Sequence, residues 1–328
     1  MDQKLISIII PNYNHAKFLK KRIDSILNQK FTDFEVIILD DCSTDESKDI
    51  INSYKDERIS LKLFNDKNSG SPFKQWKKGI EAAKHDYIWI AESDDWADKN
   101  FLSEANKAIN SNPNISIFFS DSVLVDENEK PYHNSLQSYT KELDSKLWNS
   151  SHFSEGLKYF NRFFIHKCII LNASSAVFKK NYALKHIDEV LDFKTQGDWL
   201  FWCLMLKEGN IFYAAEKLNY FRHHSLTTRN YNSKEKRETR ILEKIKFYEK
   251  ILNNFVVDNQ IISEKKQNII KEWIFNHNFN EQFKKSFYLI SEYRLINIKP
   301  TELLFLSLKT KFRNLYNIYI KSFFILIC

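Results

Sequence analysis

Short apolar runs recur along the first third of the chain: KLISIII, FEVIILD, ISLKLFN, YIWIAE and ISIFFS, all between residues 4 and 122. Each is rich in β-branched or aromatic residues and apolar on both faces, the pattern of strands buried in a parallel sheet. The segments between them carry helical spacing, as in Phe18, Leu19, Ile23, Ile26 and Leu27. This alternation predicts an α/β domain. Beyond residue 122 the pattern loosens. It predicts helix near 154–164, an apolar run ASSAVF at 173–178, a helix near 198–208, and short strands at 211–214 and 218–221. From residue 231 onward there is no glycine and one proline, Pro300, among abundant Lys, Glu, Ile, Leu and Phe. That region is predicted to be mostly helical, with a domain boundary near 230.

Open α/β sheets bind ligands beyond the carboxyl ends of their strands. The residues that follow the apolar runs are polar: PNYN, DDCSTD, NDKNSG and ESDDW. The five glycines (Gly70, Gly79, Gly156, Gly197, Gly209) form neither G-x-G-x-x-G nor a G-K-[ST] loop, which argues against a nicotinamide dehydrogenase and a P-loop nucleotidase. Acids around a divalent cation are the other route to a phosphate. Asp40 and Asp41 end the second run, where a carboxylate accepts from a base N–H or a ribose hydroxyl. Ser43, Thr44 and Asp45 read as a helix cap with an acidic first turn. Glu92, Asp94 and Asp95 crowd three carboxylates into four positions, a repulsion that Mg2+ or Mn2+ would offset.

SIIIPNYNHAKFL, then DDCSTDES, then ESDD after a further apolar strand, together resemble the nucleotide-binding half of inverting family 2 glycosyltransferases with the GT-A fold. The likeness is close over residues 4 to about 100 and weaker to about 230. It implies a mixed, mainly parallel sheet sandwiched by helices, with a C-terminal helical extension. The domain would span 1–230, with a nucleotide-sugar part at 1–120 and an acceptor part at 121–230, ahead of a helical region at 231–328. The resemblance also implies roles. Pro11, Tyr13 and Asn14 would line the uracil or ribose site of a UDP-sugar, Tyr13 by stacking. Asp41 would accept from the base, Asp94 would hold the ribose or share the metal, and Asp95 would ligate Mn2+ or Mg2+ on the diphosphate. Asp198, opening an apolar helix after Gly197, would be the base that deprotonates the acceptor. Arg222 and His224 in FRHHSLTTRN would close over the diphosphate, and Asp121 would touch the acceptor. Three places depart from the family pattern: Glu92 leads the acid cluster, Gln75 and Trp76 replace small residues and Asn, and Gly197 replaces Glu in the usual Glu-Asp pair. Lys74, in the same loop as Gln75, is a further candidate for a phosphate contact.

Charge is unevenly distributed. Residues 231–328 carry 18 Lys and Arg against 10 Asp and Glu, while the preceding 230 carry 31 against 32. In residues 301–328, Lys309, Lys311, Arg313 and Lys321 interrupt apolar runs too short to span a bilayer. A basic amphipathic helix on anionic lipid and an ordinary packing or dimer-forming helix both fit. Four scattered cysteines and no basic, cleavable leader point to a cytoplasmic protein, peripheral on the inner face of the membrane if the tail binds lipid. The expected partners are a UDP-sugar and a glycan or lipid-linked acceptor, not nucleic acid. Two rival readings stay open. A nucleotidyltransferase also pairs an α/β sheet with acids and Mg2+, although PNYNHAKFL lacks its Gly-rich basic loop. A membrane- or nucleic-acid-binding module would use the basic tail but leave the strand-end acids unexplained.

Overall fold

In the computed structural model, Ile6–Asn12 (β1) and Phe34–Asp40 (β2) are buried over their whole length, as their unbroken apolar runs require. The structure describes residues 6–112, 114–131, 136–224 and 233–276. It divides into two compact units, Met1–Thr227 and Thr228–Cys328.

In the first unit, β1 lies between β2 and Tyr87–Ile90 (β4), parallel to both, and Ile59–Phe64 (β3) adds the outer strand beside β2. The sheet continues past β4 through Ala176–Lys179 (β8), Ile115–Val125 (β6) and Asn210–Arg222 (β9) to Trp96–Ala97 (β5). β8 is antiparallel to β4 and β6, whereas β6 and β9 run parallel. His152–Ser154 (β7) pairs with β9. The mixed, mainly parallel sheet between helices is the architecture expected from the sequence.

Alternate residues of the central strands serve opposite faces. Ile8, Ile10, Val36, Ile38 and Trp89 join Leu19, Ile23 and Ile26 of Ala16–Leu27 (α1) in one core. Phe101, Leu102 and Ile109 of Phe101–Ser111 (α4) complete it. On the other face Pro72–Ala82 (α3) packs against β1 so closely that a Cβ on Gly79 would collide with Ile9. Ser47–Ser53 (α2), Leu136–Thr140 (α5), Gly156–Tyr159 (α6) and Lys180–His186 (α7) are short. Gly197–Glu208 (α8) is buried from Trp199 to Leu206, matching its apolar sequence on every side.

Three local expectations change. The two short strands at 211–214 and 218–221 are one strand, β9, with register shifts against β6 near Asp121. The helix near 154–164 is α6 followed by a π-helical turn at Phe160–Phe164. Within ASSAVF, Ala173–Ser175 is a single 3-10 turn that precedes β8. In the second unit, Lys234–Asn254 (α9) begins at Ser233, whose hydroxyl accepts from the Lys236 amide. It pairs with Asn259–Asn276 (α10) through Lys244 and Glu272, 2.6 Å apart. Among the described residues no helix is long and apolar enough to cross a membrane. The basic tail 301–328 lies outside the described residues.

Candidate active site

The acid cluster begins where β4 stops pairing with β1, and its three carboxylates face different surroundings. Glu92 accepts from the Trp76 indole at 2.9 Å. Burial, reinforced by the charge of Asp94, pushes its carboxyl up to about 8. Asp95 turns inward and is 2% exposed. Asn172 Nδ2 donates to one of its oxygens at 2.5 Å, and the Arg222 amide to the other at 2.9 Å. The Arg22 guanidinium lies 3.9 Å away. The sequence assigned the metal to Asp95, and here both oxygens of Asp95 accept from internal donors.

Asp94 is the carboxylate that lies among groups able to hold a cation. An oxygen of Asp94, a nitrogen of His15 and one of His224 all lie within 4.8 Å of one another. His224 Nε2 and Asp94 Oδ2 are hydrogen-bonded at 3.0 Å. Although burial acts against it, this bond and the nearby imidazoles hold the Asp94 carboxyl below its usual range. Burial lowers His15, which favours the neutral, ligand-competent imidazole. One carboxylate and two imidazoles are a donor set that fits a divalent ion.

Arg222, expected over the diphosphate, makes several contacts within the protein. Its guanidinium lies between the rings of Phe18 and Trp96, 4.6 and 4.7 Å from their centroids. It donates to the carbonyls of Asp94 and Glu127 and pairs with Glu129 at 3.2 Å. Lys17–Glu127 and Lys21–Glu129 ion pairs fasten the same turn to α1. In this structure the guanidinium links β9, α1 and the 126–130 turn. His224, two residues on, lies beside Asp94.

The candidate nucleotide wall is built from the ends of β1 and β2. Pro11 pairs with Leu39 of β2 near the end of β1, two residues after pairing with β4 stops at Ile9–Ile90. Tyr13 is 47% exposed. Asn14 adopts a left-handed φ of 54°, and its side-chain oxygen accepts from the Thr44 amide at 2.8 Å. Asp41 accepts from the side chains of Asn65, Gln75 and Ser69 and from the Ser69 amide. Its carboxylate thus organises the 65–71 loop. Lys74 is exposed and turns back to the Ser69 carbonyl at 3.2 Å.

Asp198 stands in the first turn of α8 and accepts from the Trp199 amide at 2.8 Å. A chain of contacts links this helix start to the acid cluster. A Cβ at Gly197 would fall 2.5 Å from Phe73; Phe73 stacks edge-on with Trp76 at 5.1 Å; and Trp76 holds Glu92. The three departures from the family pattern are therefore physically connected. Asp121, expected at the acceptor, lies in β6, is 1% exposed and accepts from the Ser122 amide at 2.7 Å.

Around the acid cluster the structure adds Arg22, His15, Ser93, Asn172 and Ser174. Arg22 donates to the Glu92 carbonyl and to Ser174 Oγ, and Ser174 Oγ accepts from the Glu92 amide. Its signal was present: a charge on the buried stripe of α1, between Leu19 and Ile23. Asn172 and Ser174 carried none, since each is an ordinary polar residue far along the chain.

The glycosyl transferase family 2 model matches residues 7–169. Over 102 residues the chain is 34% identical to the poly(ribitol-phosphate) beta-N-acetylglucosaminyltransferase TarS of Staphylococcus aureus, covering 30% of this chain and 18% of TarS. Over 102 residues it is 36% identical to the putative teichuronic acid biosynthesis glycosyltransferase TuaG of Bacillus subtilis, covering 30% of this chain and 40% of TuaG. The matched stretches span less than half of either relative. The crystal structure of S. aureus TarS 1–349 in complex with UDP superposes with a TM-score of 0.60 at 19% identity, covering 85% of this chain and 77% of that one. The mannosyltransferase PcManGT of Pyrobaculum calidifontis, in complex with GDP-Man and Mn2+, gives 0.54 at 12% identity, covering 95% and 87%. Residues 7–169 thus form a domain matching glycosyl transferase family 2, in a chain whose fold is the GT-A fold shared with these enzymes.

Proposed function

We propose that the first unit moves a sugar from a UDP-sugar to a hydroxyl of a glycan or lipid-linked acceptor, inverting the anomeric carbon, in the making of a cell-surface polysaccharide. The observation that carries this reading is the cation-competent group at Asp94, standing at the carboxyl end of a central strand. The relatives named for poly(ribitol-phosphate) and teichuronic acid support a polysaccharide acceptor, and a TarS structure in complex with UDP-GlcNAc supports a uridine donor. Asp94 and His224 would hold the ion. When bound, Mn2+ or Mg2+ would supply positive charge to the departing diphosphate.

The remaining roles belong to the chain's own residues. Tyr13 would stack on the base, with Asn14 fixing the turn that presents it. Asp41 would act through the 65–71 loop, whose geometry it sets. Asp198 would take the proton of the acceptor hydroxyl as that oxygen attacks the anomeric carbon. Its place in the first turn of α8 favours the charged carboxylate.

The test is a panel of UDP- and GDP-sugars with Mn2+ or EDTA, read by melting temperature and by release of nucleoside diphosphate. UDP is expected to stabilise the protein only with the metal. Asp198→Ala is expected to keep that stabilisation and lose transfer. A protein that answers to no nucleotide would overturn the reading.

A further inference from the structure

We propose that His15 is a third protein ligand of the cation, and that the resulting pair of imidazoles and one carboxylate selects a transition-metal ion over Mg2+. This rests on the reading of Asp94 as the cation site. His15 directly precedes α1, following the left-handed Asn14, and its carbonyl accepts from the Phe18 and Leu19 amides. The backbone therefore fixes where the ring starts. Ser93 Oγ, 2% exposed, lies 2.8 Å from His15 Nδ1. A ring that donates Nδ1–H to Ser93 keeps the Nε2 lone pair for a cation, the arrangement by which an outer hydrogen bond orients a metal-bound histidine.

The second imidazole is held as firmly. His224 packs on Phe18 at 5.0 Å and meets His15 edge-on, with ring centroids 5.5 Å apart. Phe18 is itself under the Arg222 guanidinium, so α1 and β9 position both rings. Mg2+ takes oxygen ligands and gives up water reluctantly. Imidazole nitrogen favours later first-row ions, with affinity rising from Mn2+ toward Co2+ and Zn2+. Three protein ligands would leave the other coordination positions to diphosphate oxygens and water.

The experiment uses the full chain with UDP present. It titrates Mn2+ by the loss of its free-ion electron paramagnetic resonance signal, Mg2+ by calorimetry, and Co2+ by its visible absorption. The wild type is expected to bind Mn2+ about tenfold or more tighter than Mg2+. His15→Ala is expected to weaken Mn2+ about tenfold, change Mg2+ little, and alter the Co2+ spectrum; Ser93→Ala is expected to shift Mn2+ in the same direction by less. Metal-free melting temperatures of both variants establish that they fold. If His15→Ala folds but leaves Mn2+ affinity and the Co2+ spectrum unchanged, His15 is not a ligand. If the wild type binds no divalent ion, the cation reading of Asp94 fails as well, so the two failures are distinguishable.

Discussion

Asp94 and Asp95 are adjacent in the chain and opposite in environment. Asp95 is sealed by Asn172 and the Arg222 amide, with Arg22 beside it. Removing its charge would set an amide N–H against one of those donors and leave Arg22 buried without its counter-charge. Asp95→Asn is therefore expected to lower stability in urea unfolding, by less than the roughly 3–5 kcal/mol of breaking a fully charged buried pair, because burial and the Asp94 charge push the Asp95 carboxyl up to about 7. A metal-ligand role would instead predict near-normal stability and loss of the metal response, the behaviour expected of Asp94→Asn. The acid cluster was legible in the sequence because like charges so close together need a reason. Which acid turns inward was not legible, since the answer lies with residues 77 and 127 positions further along. Arg222 shows the same limit: the resemblance implied a phosphate contact, and the rings of Phe18 and Trp96 that flank it could not be read from its neighbours in sequence.

At the scale of elements, the start of α8 explains why glycine precedes Asp198. A Cβ at position 197 would meet the Phe73 ring at 2.5 and 2.6 Å and the Cβ of Phe193 at 2.9 Å. Gly197→Ala must displace Phe73, and with it the Trp76 that holds Glu92. The substitution is expected to cost about 1–3 kcal/mol, as overpacking does. In Phe73→Leu the same change is expected to cost less, because the ring edge is gone. A double-mutant cycle reads the coupling, and strictly additive penalties would refute the packing explanation. The strands were legible because a buried parallel strand must be apolar throughout. The joining of 211–214 and 218–221 into β9 was not: polar Glu216 and Lys217 interrupt the run, and the strand survives there through register shifts against β6.

For the molecule as a whole, the sequence separates two kinds of chemistry. The chemistry of the first 230 residues is held by side chains distant in sequence and nearly balanced in charge, and it depends on the fold. The charge of the remainder depends only on composition. Residues 231–300 carry 14 Lys and Arg against 9 Asp and Glu, and 301–328 carry 4 against 1. If charge alone drew the chain to an anionic bilayer, most of the attraction would survive loss of 301–328. Each basic residue near such a surface contributes about 1 kcal/mol, screened by salt. If instead 301–328 lays apolar side chains into the interface, its loss removes binding that salt leaves intact. Co-sedimentation with vesicles of phosphatidylglycerol and phosphatidylcholine, with and without 301–328 and at 0.1 and 0.5 M salt, distinguishes the two. An acceptor carried on a lipid favours the second outcome, in which the full chain stays bound at high salt and the shortened chain does not. Equal binding by both chains would remove the membrane role from 301–328 while leaving the transferase reading of the first unit untouched.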